Sequence, residues 1–185
     1  MTGLEEQYTS AMRKVATGVT VVGTGGRTEW LAQTVSAMCS VSAHPPLVLV
    51  CLNDRSPVNE AIGVNGMFSV SVLTTRHDHV ADTFAGRPWP GKDRHDFTCG
   101  VWEAAPSGSP RLADALAAFD CTVESSTRAG SHLVHIGRVQ HVTHREGDPL
   151  VYADRTYGRP EPVVLQQFPG YPPFPPETNV RNERR

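Results

Sequence analysis

Hydrophobic positions along this chain fall mostly into short alternating or β-branched runs, a pattern that predicts many strands and few helices. Residues 4–14 are an exception, with helical spacing that offers Tyr8, Met12 and Val15 to one face. A β-branched strand over 19–24 ends in Gly25-Gly26, a hairpin turn. The stretch 30–53, WLAQTVSAMCSVSAHPPLVLVCLN, predicts two neighbouring strands, with Pro45-Pro46 in the short connection interrupting their pairing. Next comes a helix start, with Ser56 as N-cap, Pro57 in the first turn and glycines 63 to 66 at the close.

Residues 68–73 alternate as a strand, and 74–84 read as a surface helix ending in Phe84-Ala85-Gly86. Residues 87–108, rich in Pro, Trp and charge, form a long excursion of the lid or binding-loop kind. A helical turn and a strand over 112–124, a turn at 130–132, a long strand over 133–143 and a short one over 149–152 complete the pattern. With Gly and Pro turns and no βαβ rhythm, the fold class is mainly β, a closed antiparallel barrel. One domain over 1–160 is followed by a proline-dense tail over 161–185, whose Phe168, Tyr171 and Phe174 are available to wrap a partner subunit.

Composition narrows the function classes. Among 185 residues, 17 Lys and Arg stand against 19 Asp and Glu, and no basic block precedes the last few positions, which disfavours nucleic acid as a partner. The first residues lack an apolar leader, and no run approaches the ~18 apolar residues of a membrane span, so a soluble cytoplasmic protein is expected. Cys39, Cys51, Cys99 and Cys121 form no C-x-x-C pair and read as buried reduced thiols.

Little in the chain suggests self-sufficient acid-base or metal chemistry. No Ser-His-Asp grouping, carboxylate pair or zinc spacing stands out, and His77 and His79 lie two residues apart, on diverging sides of a helix. The glycines at 23, 25 and 26 lack the third glycine and the following helix of a dinucleotide loop. Small residues at 34–37 leave a low wall against which a flat ligand can approach backbone; close packing of two crossing strands explains the same residues. Ser56 and Arg55 at a helix start suit a phosphate, or Ser56 simply caps. Phe84-Ala85-Gly86 reads equally as a hydrophobic helix end with a glycine cap.

At these residues the chain resembles a known family. The run T-V-S-A-x-x-S-V-S-x-x-P-P-L-V-L-V-C-L-N from Thr34 to Asn53 is similar to the signature of the short flavin reductases, and the order of segments over 8–157 follows that family. Phe84-Ala85-Gly86 resembles its F-A-G segment and Arg155-Thr156-Tyr157 its closing R-x-Y. Gly130-Ser131-His132 stands where the family usually has G-D-H, so the acidic member is replaced by Ser131.

The resemblance implies a six-stranded Greek-key split β-barrel with a few flanking helices, usually a homodimer with flavin near the subunit interface. It implies hydride transfer from NADH or NADPH to FMN or FAD, the reduced flavin going to a partner monooxygenase. Thr34, Val35, Ser36 and Ala37 would then meet the isoalloxazine, with Ser40, Cys51 and Leu52 nearby. Asn53, Arg55, Ser56 and Asn59 would meet ribityl and phosphate. Phe84, Ala85 and Gly86 would flank the ring, while Gly130 and His132 would orient the nicotinamide nucleotide. Tyr157 would cover the flavin or seal the barrel end, and His135, His141 and His144 are expected on the strand surface. A non-catalytic flavin- or haem-binding split barrel is the alternative, and an oxidase of pyridoxamine-type substrates is a third reading.

Overall fold

The computed structural model describes residues 2–91 and 93–162. Among these residues, three helices, α1 Gly3–Met12, α2 Pro57–Asn65 and α3 Asp78–Phe84, accompany twelve strands. These are β1 Thr17–Gly18, β2 Thr20–Thr24, β3 Leu31–Val35, β4 Met38–Ala43, β5 Pro46–Asn53, β6 Met67–Val72, β7 Trp102–Ala104, β8 Pro110–Leu112, β9 Ala117–Ala129, β10 His132–His144, β11 Val151–Ala153 and β12 Thr156–Gly158.

Seven strands form one antiparallel sheet in the order β3-β2-β6-β9-β10-β5-β4. Its two edge strands are consecutive in the chain, with only Ser36 and Ala37 between them. Laid flat, seven strands would separate those edges by roughly 29 Å, whereas the step from Val35 to Met38 spans at most about 11 Å. The sheet must therefore roll until its edges meet. A main-chain bond from Cys51 N–H to Ala37 O, 3.0 Å, fastens the corner, and no ladder joins β3 to β4 among the described residues. The result is a barrel split along one seam. It has seven strands where six were expected, because 30–53 makes three strands and not two.

The proline pair acts differently from expectation. The His44–Pro45 bond is cis. Pro46 opens β5 opposite Ala43, and β4 and β5 pair from that end to Met38 and Val50, with a bulge near Ser40 and Ser42. Proline is tolerated at a first strand residue because little of the ladder is lost there. Alternation along β5 buries Val48, Val50 and Leu52 and leaves Leu47, Leu49 and Cys51 half-buried.

Two apolar clusters fill the fold. One joins Val35, Val48, Val50, Leu52, Ile62 and Phe68 between α2 and the sheet. The other joins Val21, Leu73, Val80, Phe84 and Leu112 beneath α3. On β10, Gly137 lets the Phe68 ring lie against backbone, since a Cβ there would stand 2.4 Å from Phe68 Cζ.

Helix α2 forms as its sequence predicts: Ser56 Oγ accepts from Val58 N–H, Pro57 sits in the first turn, and Gly66 closes the helix at φ 69°. Helix α1 forms too, but none of its residues is buried, and Tyr8 remains 64% exposed. Helix α3 is shorter than expected and is not purely a surface helix, because Val80, Ala81 and Phe84 lie in the core. The 87–108 excursion holds a 3-10 turn, Phe97–Cys99, and strand β7, which pairs with β8. Residues 113–114 are a turn and not helical. Cys39 is exposed, contrary to the buried-thiol reading, since β4 is an edge strand and its outer face meets solvent. The tail residues Phe168, Tyr171 and Phe174 lie outside the described residues.

Candidate functional site

The end of β5 and the start of β10 are register partners, so Asn53 lies opposite His132 and Leu52 opposite Leu133. Beyond the ladder, Asp54 N–H donates to Ser131 O at 2.9 Å, and Arg128 on β9 makes an ion pair with Asp54. Gly130 supplies the positive φ, 59°, that turns β9 into β10. His132 is half-buried with its Nδ1 3.0 Å from Ser131 Oγ. Two segments 79 positions apart are thus one surface, and the serine in place of the family's acid sits within it.

From Asn53 the chain turns into α2. Asn53 Oδ1 accepts from Arg55 N–H at 3.1 Å, and Asn53 O accepts from both Ser56 N–H at 2.9 Å and Asn59 Nδ2 at 2.7 Å. Arg55 is left exposed at the start of the helix, where a cation and the helix dipole both favour an anion. Asn59 differs from expectation: it is buried, and its two side-chain ends bond Asn53 O and His135 Nε2. It thereby ties α2 to the end of β5 and to β10.

His135 is the larger correction. It is 1% exposed, and its ring lies between Ser126 Oγ, 2.7 Å from Nδ1, and Asn59 Oδ1, 2.9 Å from Nε2. The run Leu133 to Ile136 carries apolar residues at both parities, so alternation could not say which face enters the core.

At the seam, Ser36 and Ala37 are exposed, and Ser40 is exposed on β4 opposite Val48. Burial pushes the half-buried Cys51 thiol above its ordinary value, and nearby Cys39 adds to the rise, so the neutral thiol is favoured there. Thr34 Oγ donates to Ala81 O at 2.7 Å, tying β3 to α3. Just past the end of α3, Ala85 is exposed and Gly86 sits at φ 77°, its missing Cβ pointing into open space.

Three apolar side chains do not reach the surface. Val35 and Leu52 belong to the core, and Phe84, 0% exposed, packs edge-on against Phe97 and Trp102 with ring centroids 5.0 Å and 5.2 Å away. Leu52 and Phe84 offer a ligand no surface in this conformation, and Val35 offers little; the ring expected from Phe84 is inside because α3 is anchored through it. Tyr157 is half-buried and donates from its hydroxyl to Asp82 Oδ1 at 2.9 Å, which also receives Arg87 Nη2 at 3.1 Å. Burial and then the Asp82 bond push the Tyr157 phenol up to about 12. An open cleft of about 560 Å³ lies beside it, lined by Thr17, Val151, Thr156 and Arg159 among others.

The remaining histidines of α3 are engaged elsewhere. His77 Nδ1 accepts from Thr74 N–H at 3.1 Å and its Nε2 faces Asp114, while His79 Nε2 meets Cys99 O at 3.0 Å. No group of three or more His, Cys, Asp or Glu is arranged to hold a metal ion among the described residues.

A family model described as flavin reductase like domain matches residues 12–161. The chain belongs to this flavin reductase-like family. It is 39% identical over 151 residues, 81% of its own length and 72% of the relative's, to a Methylorubrum extorquens protein named FMN reductase (NADH) RutF. Among solved structures it resembles an NADH:FAD oxidoreductase of Streptomyces globisporus, at 30% identity and TM-score 0.75 over 88% of this chain and 96% of that one. It is also similar to the flavin reductase component of a bacterial two-component tryptophan halogenase, at 32% identity and TM-score 0.74 over 84% and 97% of the two chains. The fold is the split barrel of these flavin reductases, and the family match spans nearly the segment over which the signature motifs were found.

Proposed function

We propose that this protein is a flavin reductase that transfers a hydride from NADH or NADPH to FMN or FAD and supplies the reduced flavin to a partner oxygenase. The observation that carries the reading is the pairing of Asn53 with His132, which joins the flavin-signature strand to the nicotinamide-associated turn on one surface of a flavin reductase-like fold.

The residues present fit a flavin. Exposed Ser36 and Ala37 offer backbone and hydroxyl without bulk, Gly86 leaves open the space a side chain would fill, and Arg55 stands at the start of α2. When bound, the flavin and the nicotinamide supply the redox chemistry, two electrons and a proton passing as hydride, with a second proton taken from solvent. The chain's own residues bind and orient: the seam at 36–37 and Gly86 bound the ring, Asn53, Arg55 and Ser56 take the ribityl-phosphate end, and His132 directs the nicotinamide nucleotide. Holding two rings in a near-attack pose is worth several kcal/mol, on the order of 7–11 at the limit, and is spread over many contacts.

The reading includes a cytoplasmic setting and a homodimer; the apolar stripe of Leu4, Tyr8, Met12 and Val15 left exposed on and just after α1 supports the homodimer. A partner oxygenase is supported by the halogenase reductase component among the structural relatives. An assay crossing FMN and FAD with NADH and NADPH tests the reading. Catalytic amounts of protein should consume nicotinamide over many turnovers; stoichiometric bleaching would mark a binder, and no consumption with any pair would end the proposal.

A further inference from the structure

We infer that His135 is a positioning residue for the phosphate end of the site: through Asn59, it sets the turn at residues 53–56 that opens α2. The inference rests on the flavin reading above and concerns a side chain that touches neither cofactor in that reading.

The hydrogen-bond directions are fixed by chemistry. Asn53 O can only accept, so the Asn59 atom 2.7 Å from it is the amide Nδ2, which leaves Oδ1 toward His135. Oδ1 can only accept in turn, so His135 Nε2, 2.9 Å away, carries the proton. Nδ1 is then bare and accepts from the Ser126 hydroxyl at 2.7 Å. The bonds all point one way, from Ser126 on β9 through His135 on β10 and Asn59 on α2 to the last carbonyl of β5.

That carbonyl also receives Ser56 N–H, while Asn53 Oδ1 receives Arg55 N–H at 3.1 Å. The turn that presents Arg55 at the start of α2 therefore has its direction set from inside the barrel. A buried imidazole is costly unless both nitrogens are satisfied, and an apolar residue would fill the same space without that cost. Here both are satisfied, and burial keeps the ring neutral by lowering its pKa. The Phe68 ring, 6.5 Å from that of His135 between centroids, holds its other flank.

The test uses the full-length protein and compares His135→Leu, which removes both nitrogens, with His135→Gln, whose amide can restore a donor toward Asn59. Melting temperature and steady-state kinetics are measured with FMN, with riboflavin, which lacks the phosphate, and with NADH varied. For His135→Leu, KM for FMN should rise about tenfold, while KM for riboflavin, KM for NADH and kcat at saturating flavin change by less than about twofold. His135→Gln should recover most of the FMN effect. Equal losses with FMN and riboflavin, or an unchanged KM for FMN in a folded His135→Leu protein, would overturn the inference. If that variant does not fold, Ser126→Ala releases Nδ1 from an exposed position. A rise confined to FMN supports the inference, and wild-type values defeat it. Wild-type protein that consumes neither NADH nor NADPH with FMN or FAD would instead defeat the function reading itself.

Discussion

Asn53 and His132 face each other across the β5–β10 ladder, although the sequence separates them by 79 positions. The pairing continues past the strands through Asp54 N–H and Ser131 O, so the turn after β5 and the β9–β10 hairpin move as one body. Any ligand that meets one of them is held in fixed relation to the other.

His132→Ala should separate the two cofactors. With the nicotinamide assigned to His132 and flavin to the seam and α2, KM for NADH is expected to rise about tenfold while flavin affinity stays within about twofold. Steady-state kinetics beside a flavin fluorescence titration checks this. Equal weakening of both, or of neither, would count against the assigned role.

Phe84→Ala should act on stability before it acts on binding. The ring is fully buried against Phe97 and Trp102. Its loss should lower unfolding free energy by about 3–5 kcal/mol. Urea denaturation measures the change; a loss under about 1 kcal/mol would mean that the ring leaves this cluster in solution.

Gly137→Ala should destabilise the barrel at the Phe68 contact, where the added methyl would meet Phe68 Cζ at 2.4 Å and Cys121 Cβ at 2.8 Å. Overpacking of this kind costs roughly 1–3 kcal/mol. Phe68→Leu makes room and should recover part of that cost in the double variant, which a denaturation cycle would register as coupling.

Ser56→Ala removes the N-cap bond to Val58 N–H, 3.3 Å, and should cost about 1 kcal/mol of stability. In the proposed function it should also weaken FMN more than riboflavin. Calorimetric titration with the two ligands distinguishes a cap that only folds the helix, which would weaken both alike.

Acidification should destabilise the fold through His135. Burial holds its folded-state pKa below the ordinary 6.5, so the unfolded chain binds the proton more readily. The contribution is complete above the ordinary value and is lost as pH falls from there through the folded value. Urea midpoints at about pH 7.5 and about pH 5.5 should differ less in His135→Gln than in the wild type.

Much of the barrel was legible from period-two runs. Strands β2, β6 and β10 and helix α2, with its Ser56-Pro57 start and Gly66 end, follow from local chemistry. Orientation was harder. Residues such as Asn59, Phe84 and His135 turn inward because of sheet register and the docking of α2 and α3, which are long-range facts. The third strand within 30–53 escaped notice because Ser36-Ala37 carries no Gly, Pro, Asn or Asp to announce a change of direction.

The seam link makes chain length at Ser36 and Ala37 a fixed quantity. Since β4 is held in register on β5, an inserted residue would have to bulge out of the corner or break the Cys51 N–H bond to Ala37 O. Relatives and engineered variants should accordingly exchange side chains freely at these two positions while keeping the number of peptide units between the edges constant.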